Sequence, residues 1–132
     1  DNMISLFEKE EAVMYTIWGI GHPCVISDIL KTNPELNRNT VVKVLKTLTS
    51  KGYIKVDSII KTATRTGRGY IPIIQQEDYE AQKQLMHMII ESPTPQDGIL
   101  QYCSTLANGK HLDAAFIDEM ERLLDNLKSK ES

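Results

Sequence analysis

The amino-acid sequence predicts a mostly α-helical chain that contains one small β hairpin. Three observations lead to this fold class. Apolar residues recur at helical spacing in six separate segments. Two short strand-like segments, the first of which has alternating faces, follow the third of them. Glycine or proline stands near most of the boundaries. The predicted order of elements is three helices, a hairpin and three further helices.

Short apolar stripes define the first two helices. The first is predicted over about 7–18 and ends before Gly19 and Gly21, which form a turn. The second is predicted over about 25–32, because Asn33 precedes a proline and a residue in that position disfavours helical conformation. The apolar faces are Val13, Met14, Ile17 and Trp18 in the first helix, and Ile26, Ile29 and Leu30 in the second.

The third helix, within 37–52, is the most informative segment of the chain. Its apolar residues Val41, Val44, Leu45 and Leu48 fall at i, i+3, i+4 and i+7, on one face. Asn37 can cap its start and Gly52 ends it. The other side contains no acidic residue and carries Arg38, Asn39, Thr40, Lys43, Lys46 and Lys51. An apolar stripe backed by a cationic, amide-bearing face is typical of a helix that lies in a DNA groove.

A hairpin is predicted directly after this helix. Its strands are expected over 53–56 and 70–74, joined by a polar, basic connection over 57–69. Pro72 has no amide proton, so the second strand should lie at a sheet edge or end there. A hairpin after two helices joined by a short turn forms the winged helix-turn-helix pattern. Its cations Lys61, Arg65 and Arg68 could reach phosphates or a minor groove.

The rest of the chain is predicted to be three amphipathic helices. The first covers 76–91, the second begins after Thr94 as cap, and Asp113 caps the last. A unit this small buries little surface on its own, so we predict a homodimer, with folding back onto the N-terminal unit as the alternative. The predicted dimerisation residues are Leu85, Met86, Ile89, Ile99, Leu100, Cys103, Phe116, Ile117, Met120, Leu123, Leu124 and Leu127.

The net charge of −3 is unevenly distributed along the chain. Residues 1–75 carry ten Lys and Arg against seven Asp and Glu, whereas residues 76–132 carry five against eleven. The segment 38–68 contains eight cations and one acid. We therefore predict a winged-helix DNA-binding domain over 1–75 and a helical dimerisation domain over 76–132. A merely solvated basic face is the alternative interpretation of the cations.

The remaining residue types favour a non-enzymatic cytoplasmic protein without a cofactor. Cys24 and Cys103 form neither a metal-binding spacing nor a disulfide framework, and the three histidines are dispersed, so no metal site is predicted. The sequence has no G-x-S-x-G, P-loop, H-E-x-x-H or C-x-x-C motif. It contains no apolar run of the roughly 18 residues that a membrane span needs, and no signal peptide is expected.

The individual residues of the third helix each allow more than one role. Thr40 can donate to a phosphate or touch a thymine methyl group, and Asn39 can pair with adenine or act only as a cap. Lys43 and Lys46 can read guanine or neutralise phosphates, and phosphate contact is favoured because most protein–DNA hydrogen bonds go to the backbone. Arg38, at the start of the helix, is expected to contact phosphate.

Three groups of residues carry a resemblance to a known family. They are Val13-Met14-x-x-Ile17-Trp18 in the first helix; Asn39-Thr40-Val41, Leu45, Leu48 and Lys51-Gly52-Tyr53-Ile54 in and after the third; and Gly67-Arg68-Gly69-Tyr70 in the hairpin. In this order and spacing the chain resembles the penicillinase-repressor (BlaI/MecI/CopY) family of bacterial winged-helix regulators, over about 7–127.

The resemblance implies a homodimeric transcriptional repressor that binds an inverted-repeat operator in double-stranded DNA and silences a resistance or stress gene. In the β-lactam branch of the family, a membrane sensor detects the antibiotic and the repressor is cleaved in its dimerisation region. The corresponding position here is near Gln101 and Tyr102, where that branch usually has Asn-Phe. The alternative left open is a winged helix that binds another protein without sequence-specific DNA binding.

Overall fold

A computed structural model describes residues 6–61, 66–109 and 112–131 of the chain. It confirms the predicted fold class, a mostly helical chain with one antiparallel hairpin after the third helix. The elements are α1 (Glu8–Ile20), α2 (Ile26–Thr32), α3 (Arg38–Ser50), β1 (Ile54–Lys61), β2 (Thr66–Pro72), α4 (Gln76–Glu91), α5 (Pro95–Gly109) and α6 (Ala114–Glu131). The chain divides into two compact units, between Lys83 and Gln84.

Helix α1 is longer than the sequence pattern predicts. It continues through Gly19 to Ile20 and ends at Gly21, whose φ of 77° lies in the left-handed region that glycine adopts without a steric penalty. The amide of Gly21 donates to the carbonyl of Ile17 at 3.3 Å. The predicted end before Gly19 is therefore wrong, because the residue that closes the helix is the second glycine of the turn.

Helix α3 confirms both its predicted cap and its predicted buried stripe. The Asn37 side chain accepts a hydrogen bond from the Thr40 amide at 2.9 Å, which satisfies one of the amides left unpaired in the first turn. Gly52 follows the helix with a φ of 81°. The four stripe residues are all buried and lie in one apolar core with α1, α2 and the base of the hairpin. They are Val41, Val44, Leu45 and Leu48.

The strands of the hairpin are longer than predicted. Ile54 pairs with Pro72 and Lys61 with Thr66, so most of the expected connection over 57–69 belongs to the strands. The glycines that suggested a loop allow close packing instead, since a Cβ on Gly69 would lie 2.7 Å from Ile60 Cδ1. The second strand ends at Pro72, one of the two outcomes predicted for this proline, so its predicted extension to residue 74 is wrong.

A short bridge joins the base of the hairpin to the residue before α2. Cys24 and Tyr70 exchange backbone hydrogen bonds of 3.1 and 2.8 Å. Cys24 is fully buried, and desolvation, aided by the charge of Asp28, raises the pKa of its thiol to about 11. The bridge fixes β2 beside the start of α2.

The first two turns of α4 belong to the N-terminal unit. Tyr79 is buried among aromatic rings, with its ring centre 5.5 Å from that of Trp18 and 6.1 Å from that of Tyr53. Its hydroxyl donates to Glu11 at 2.6 Å, and Lys83 pairs with the same carboxylate at 2.7 Å. The hydrogen bond from Lys83, followed by that from Tyr79, lowers the pKa of Glu11.

The second unit contains the rest of α4 with α5 and α6. Thr94 and Asp113 cap α5 and α6 as predicted, accepting amide hydrogen bonds from Asp97 at 3.1 Å and from Phe116 at 2.8 Å. A Cβ on Gly98 would lie 2.6 Å from the Cα of Ile89, so α5 approaches the backbone of α4 closely at this glycine. In the part of the chain that the structure describes, no helix is both long and apolar enough to cross a membrane.

Candidate nucleic-acid interface

The side of α3 opposite its buried stripe is exposed and cationic. Arg38, Asn39, Lys43 and Lys46 are all exposed, and Thr40 is half-buried. The side chain of Asn37 caps the helix, so the side-chain amide of Asn39 is not used for the cap. These are the side chains that the helix can offer to a partner without disturbing the core.

Lys51, one of the predicted DNA contacts, has a different environment. Its ammonium lies 2.9 Å from the Glu10 carboxylate and 5.3 Å from the centre of the Phe7 ring. The side chain is half-buried, and Glu10 also accepts a hydrogen bond from the Phe7 amide at 3.0 Å. We therefore assign Lys51 to the junction between α3 and the start of α1 and leave it out of the proposed interface.

The hairpin supplies further cations from β1 and β2. Lys61 and Arg68 are exposed, and Arg68 lies opposite Ile59, which is 66% exposed. Arg65, also predicted to contact DNA, lies outside the described residues. Lys55 of β1, which the sequence analysis did not predict as a contact, is exposed too, so the described part of the hairpin adds three exposed cations to the three of α3.

A cavity of about 530 Å³ lies between the start of α2, the side of α3 and strand β2. It brings together three of the predicted DNA contacts, Arg38 and Lys46 from α3 and Arg68 from β2, whereas Lys43 and Asn39 do not line it. The lining residues are Val25, Ile26, Ser27, Arg38, Val42, Leu45, Lys46, Thr66, Gly67, Arg68 and Tyr70.

Sequence reasoning did not single out the apolar part of this cavity. Val42 carried the only local signal, since it is an aliphatic residue that lies off the buried stripe of α3. Ile26 was predicted only as part of the apolar face of the second helix, and Val25 carried no signal, because their position beside α3 depends on the tertiary fold. Within the described ranges, no three His, Cys, Asp or Glu residues come together as a group that could hold a metal ion.

Comparison with known families assigns the chain to one of them. The penicillinase repressor family matches residues 6–126, nearly the whole chain. The chain belongs to this family. Penicillinase repressors are transcriptional repressors that bind DNA, and they are regulators rather than enzymes. A search of curated proteins found no significant match.

In this member of the family, many of the predicted dimerisation residues are exposed in the single chain. On α6, Leu123 is 58% and Leu127 51% exposed, and on α5 Leu100 is 69% exposed. None of the described residues of α6 is buried. Ile99, Phe116, Ile117 and Leu124 are also exposed, whereas Leu85, Met86, Ile89, Cys103 and Met120 are half-buried.

The predicted cleavage position lies inside a helix. Gln101 is exposed and Tyr102 half-buried, both in the middle of α5. The Gln101 carbonyl accepts a hydrogen bond from the Thr105 hydroxyl at 3.0 Å. Since proteases favour exposed loops, cleavage at this position requires α5 to unwind locally.

Proposed function

We propose that this chain is a cytoplasmic homodimeric repressor that binds an inverted-repeat operator through α3 and the hairpin. One observation supports this most directly. The four residues of the apolar stripe of α3 are buried while Arg38, Lys43 and Lys46 are exposed on the same helix. Folding therefore leaves the cationic side available, and a polyanion is the partner that such a side attracts.

The proposed contacts of the protein with DNA are of two kinds, contacts with the DNA backbone and contacts with the bases. Lys43 and Lys46 neutralise phosphates, which supply affinity and a strong dependence on salt. Asn39 is exposed near the start of α3, where residues of a recognition helix meet base edges, so we assign it the reading of adenine. Arg68 of the hairpin contacts an adjacent phosphate or the minor groove.

Dimerisation through the C-terminal helices is supported by their uncovered apolar residues. Phe116, Leu123, Leu124 and Leu127 recur at helical spacing along α6, and each is at least 43% exposed in one chain. An apolar stripe of this kind marks a protein interface, and a second copy is the partner that also explains an inverted-repeat operator.

Selection from a pool of random-sequence DNA duplexes tests the DNA-binding proposal. The full chain is mixed with the pool, and bound duplexes are recovered and sequenced over several rounds. We expect an inverted repeat whose half-sites are about one helical turn, 10 to 10.5 base pairs, or a multiple of it apart. Binding without enrichment of any sequence would contradict operator recognition and favour the protein-interaction alternative.

Sedimentation of two α6 variants tests the dimer. Leu123→Glu places a charge within the apolar stripe, whereas Asn126→Glu adds the same charge on an exposed position outside it. We expect the first variant to sediment as a monomer with weakened operator binding, and the second to remain dimeric. If Leu123→Glu stays fully dimeric, the interface lies elsewhere.

We also propose that the repressor controls a β-lactam-resistance or stress gene and is released from DNA by proteolysis. These two parts of the proposal rest on family membership. The test is mass spectrometry of the repressor recovered from its host cells before and after exposure to a β-lactam. A fragment that ends at Gln101 would support cleavage by a sensor-protease system. An intact chain together with expression of the controlled gene would contradict cleavage and indicate another signal.

A further inference from the structure

The cavity between α2, α3 and the hairpin combines two kinds of wall. Four aliphatic side chains that are buried or half-buried line it, and we call them the floor: Val25, Ile26, Val42 and Leu45. Arg38, Lys46 and Arg68 also line it and are exposed to solvent, and we call them the rim. Among the described residues that line the cavity, none is Asp or Glu.

Its volume of about 530 Å³ lies within the roughly 300 to 1,000 Å³ typical of small-molecule sites. Gly67 lets β2 pack closely against Val25, because a Cβ there would lie only 3.1 Å from Val25 Cγ1. Residues of α2, α3 and β2 all contribute to the lining.

We propose that this cavity binds a small amphipathic anion, an apolar body that bears a carboxylate, and that the bound anion competes with DNA. The apolar body lies on the aliphatic floor, where burying hydrocarbon is favourable. The carboxylate lies between the cations, where an arginine can hold it through two parallel hydrogen bonds. A phosphate of the DNA backbone satisfies only the rim, because it has no apolar part to cover the floor.

Competition follows from shared residues and rests on the proposed function. Arg38, Lys46 and Arg68 are among the cations that we assign to DNA. A carboxylate held by them cancels part of the positive charge that attracts phosphates, so the anion acts as an inducer that releases the operator.

Binding of 1-naphthoate to the full chain without DNA tests the site itself. The Ile, Val and Leu methyl groups are labelled with ¹³C and their NMR shifts are followed during the titration. We expect saturable shifts at Val25, Val42 and Leu45. The absence of binding, or shifts confined to exposed α6 residues such as Leu123, would overturn the proposal.

Two variants separate the floor from the rim. Val42→Phe fills part of the floor and should weaken naphthoate binding about tenfold or more. The matched control is Val56→Phe, because Val56 is exposed on β1 and does not line the cavity, and this variant should bind naphthoate like the wild type. Arg68→Gln, at an exposed position that the fold does not need, should weaken binding of naphthoate but not of neutral 1-naphthalenemethanol. Equal loss for both compounds would contradict a carboxylate–cation contact.

DNA competition then tests the regulatory step. With naphthoate at ten times its own Kd, we expect the apparent Kd to rise about elevenfold for each subunit, and therefore about 120-fold for a dimer that binds the selected operator only when both cavities are empty. Naphthoate that binds the cavity while operator affinity stays constant would overturn the inducer role. If the chain binds naphthoate but no DNA at all, the proposed function fails while the binding site stands.

Discussion

Replacing Lys43 and Lys46 with alanine removes two cations from the exposed side of α3 and leaves its buried stripe intact. Both side chains are exposed, so the free energy of unfolding should change by less than about 0.5 kcal/mol. DNA affinity should fall strongly, because each lysine is assigned to a phosphate. The two effects separate a loss of the interface from a loss of the fold.

The size of the effect follows from the number of lysines. A homodimer loses four cations, and if each neutralises one phosphate, the slope of log affinity against log salt becomes less steep by about 3.6, at about 0.9 per phosphate. The ratio of wild-type to variant affinity should therefore shrink about 150-fold between about 50 and about 200 mM salt. A monomer in which both lysines contact DNA would show half that change in slope.

Fluorescence anisotropy with a short labelled duplex of random sequence measures this slope, since phosphate contacts do not depend on sequence. The matched control is Lys9→Ala with Lys31→Ala, which removes the same charge from exposed positions on α1 and α2. We expect the control to keep the wild-type slope. Equal slopes for all three proteins would refute the placement of Lys43 and Lys46 against DNA.

Four further outcomes concern stability and reactivity. The pKa of Glu11 is lowered by folding, so its stabilising contribution is fully present above its ordinary pKa of 4.5 and is lost as the pH falls below that value. The wild-type protein should therefore be less stable to urea at pH 3.5 than at pH 6. Glu11→Gln should make this difference in stability smaller. Gly52→Ala should destabilise the protein by about 1 to 2 kcal/mol, because Gly52 has a positive φ that alanine adopts only at a cost. A clash with neighbouring atoms adds nothing to this cost, since a Cβ at this position would have no atom within 4 Å. Gly19 lies within α1 and is equally open, so Gly19→Ala should stabilise the protein by up to about 1 kcal/mol, because alanine favours the helix more than glycine does. If thermal unfolding showed stability changes of the same sign for both glycine variants, this reasoning would be contradicted. Cys24, buried and with its pKa raised to about 11, should react with a maleimide at neutral pH only after unfolding in urea, as mass spectrometry of the labelled chain can show.

The features that sequence predicted well are local. The stripe of α3 has a period set by the helix itself, and the caps at Asn37, Thr94 and Asp113 act within three residues. Such signals need no knowledge of the tertiary fold. The bounds of α4, predicted as 76–91, match the structure for the same reason.

The features that sequence could not predict depend on distant partners. Lys51 contacts Glu10, 41 residues away, so its charge alone gave no sign that it was already paired. Gly67 and Gly69 favour a loop when only propensity is considered, yet they allow β2 to pack against Val25 and Ile60. The cavity likewise arises only when α2 and the hairpin meet α3.

The packing of Tyr79 has a practical consequence for any attempt to isolate the DNA-reading part of this protein. A chain cut after residue 75 would leave Trp18 and Tyr53 without the ring that covers them, and Glu11 without its two donors. A fragment that extends through Lys83 keeps all of these contacts. A fragment made to test DNA binding by the N-terminal unit should therefore include the opening turns of the helix that sequence alone assigned to dimer formation.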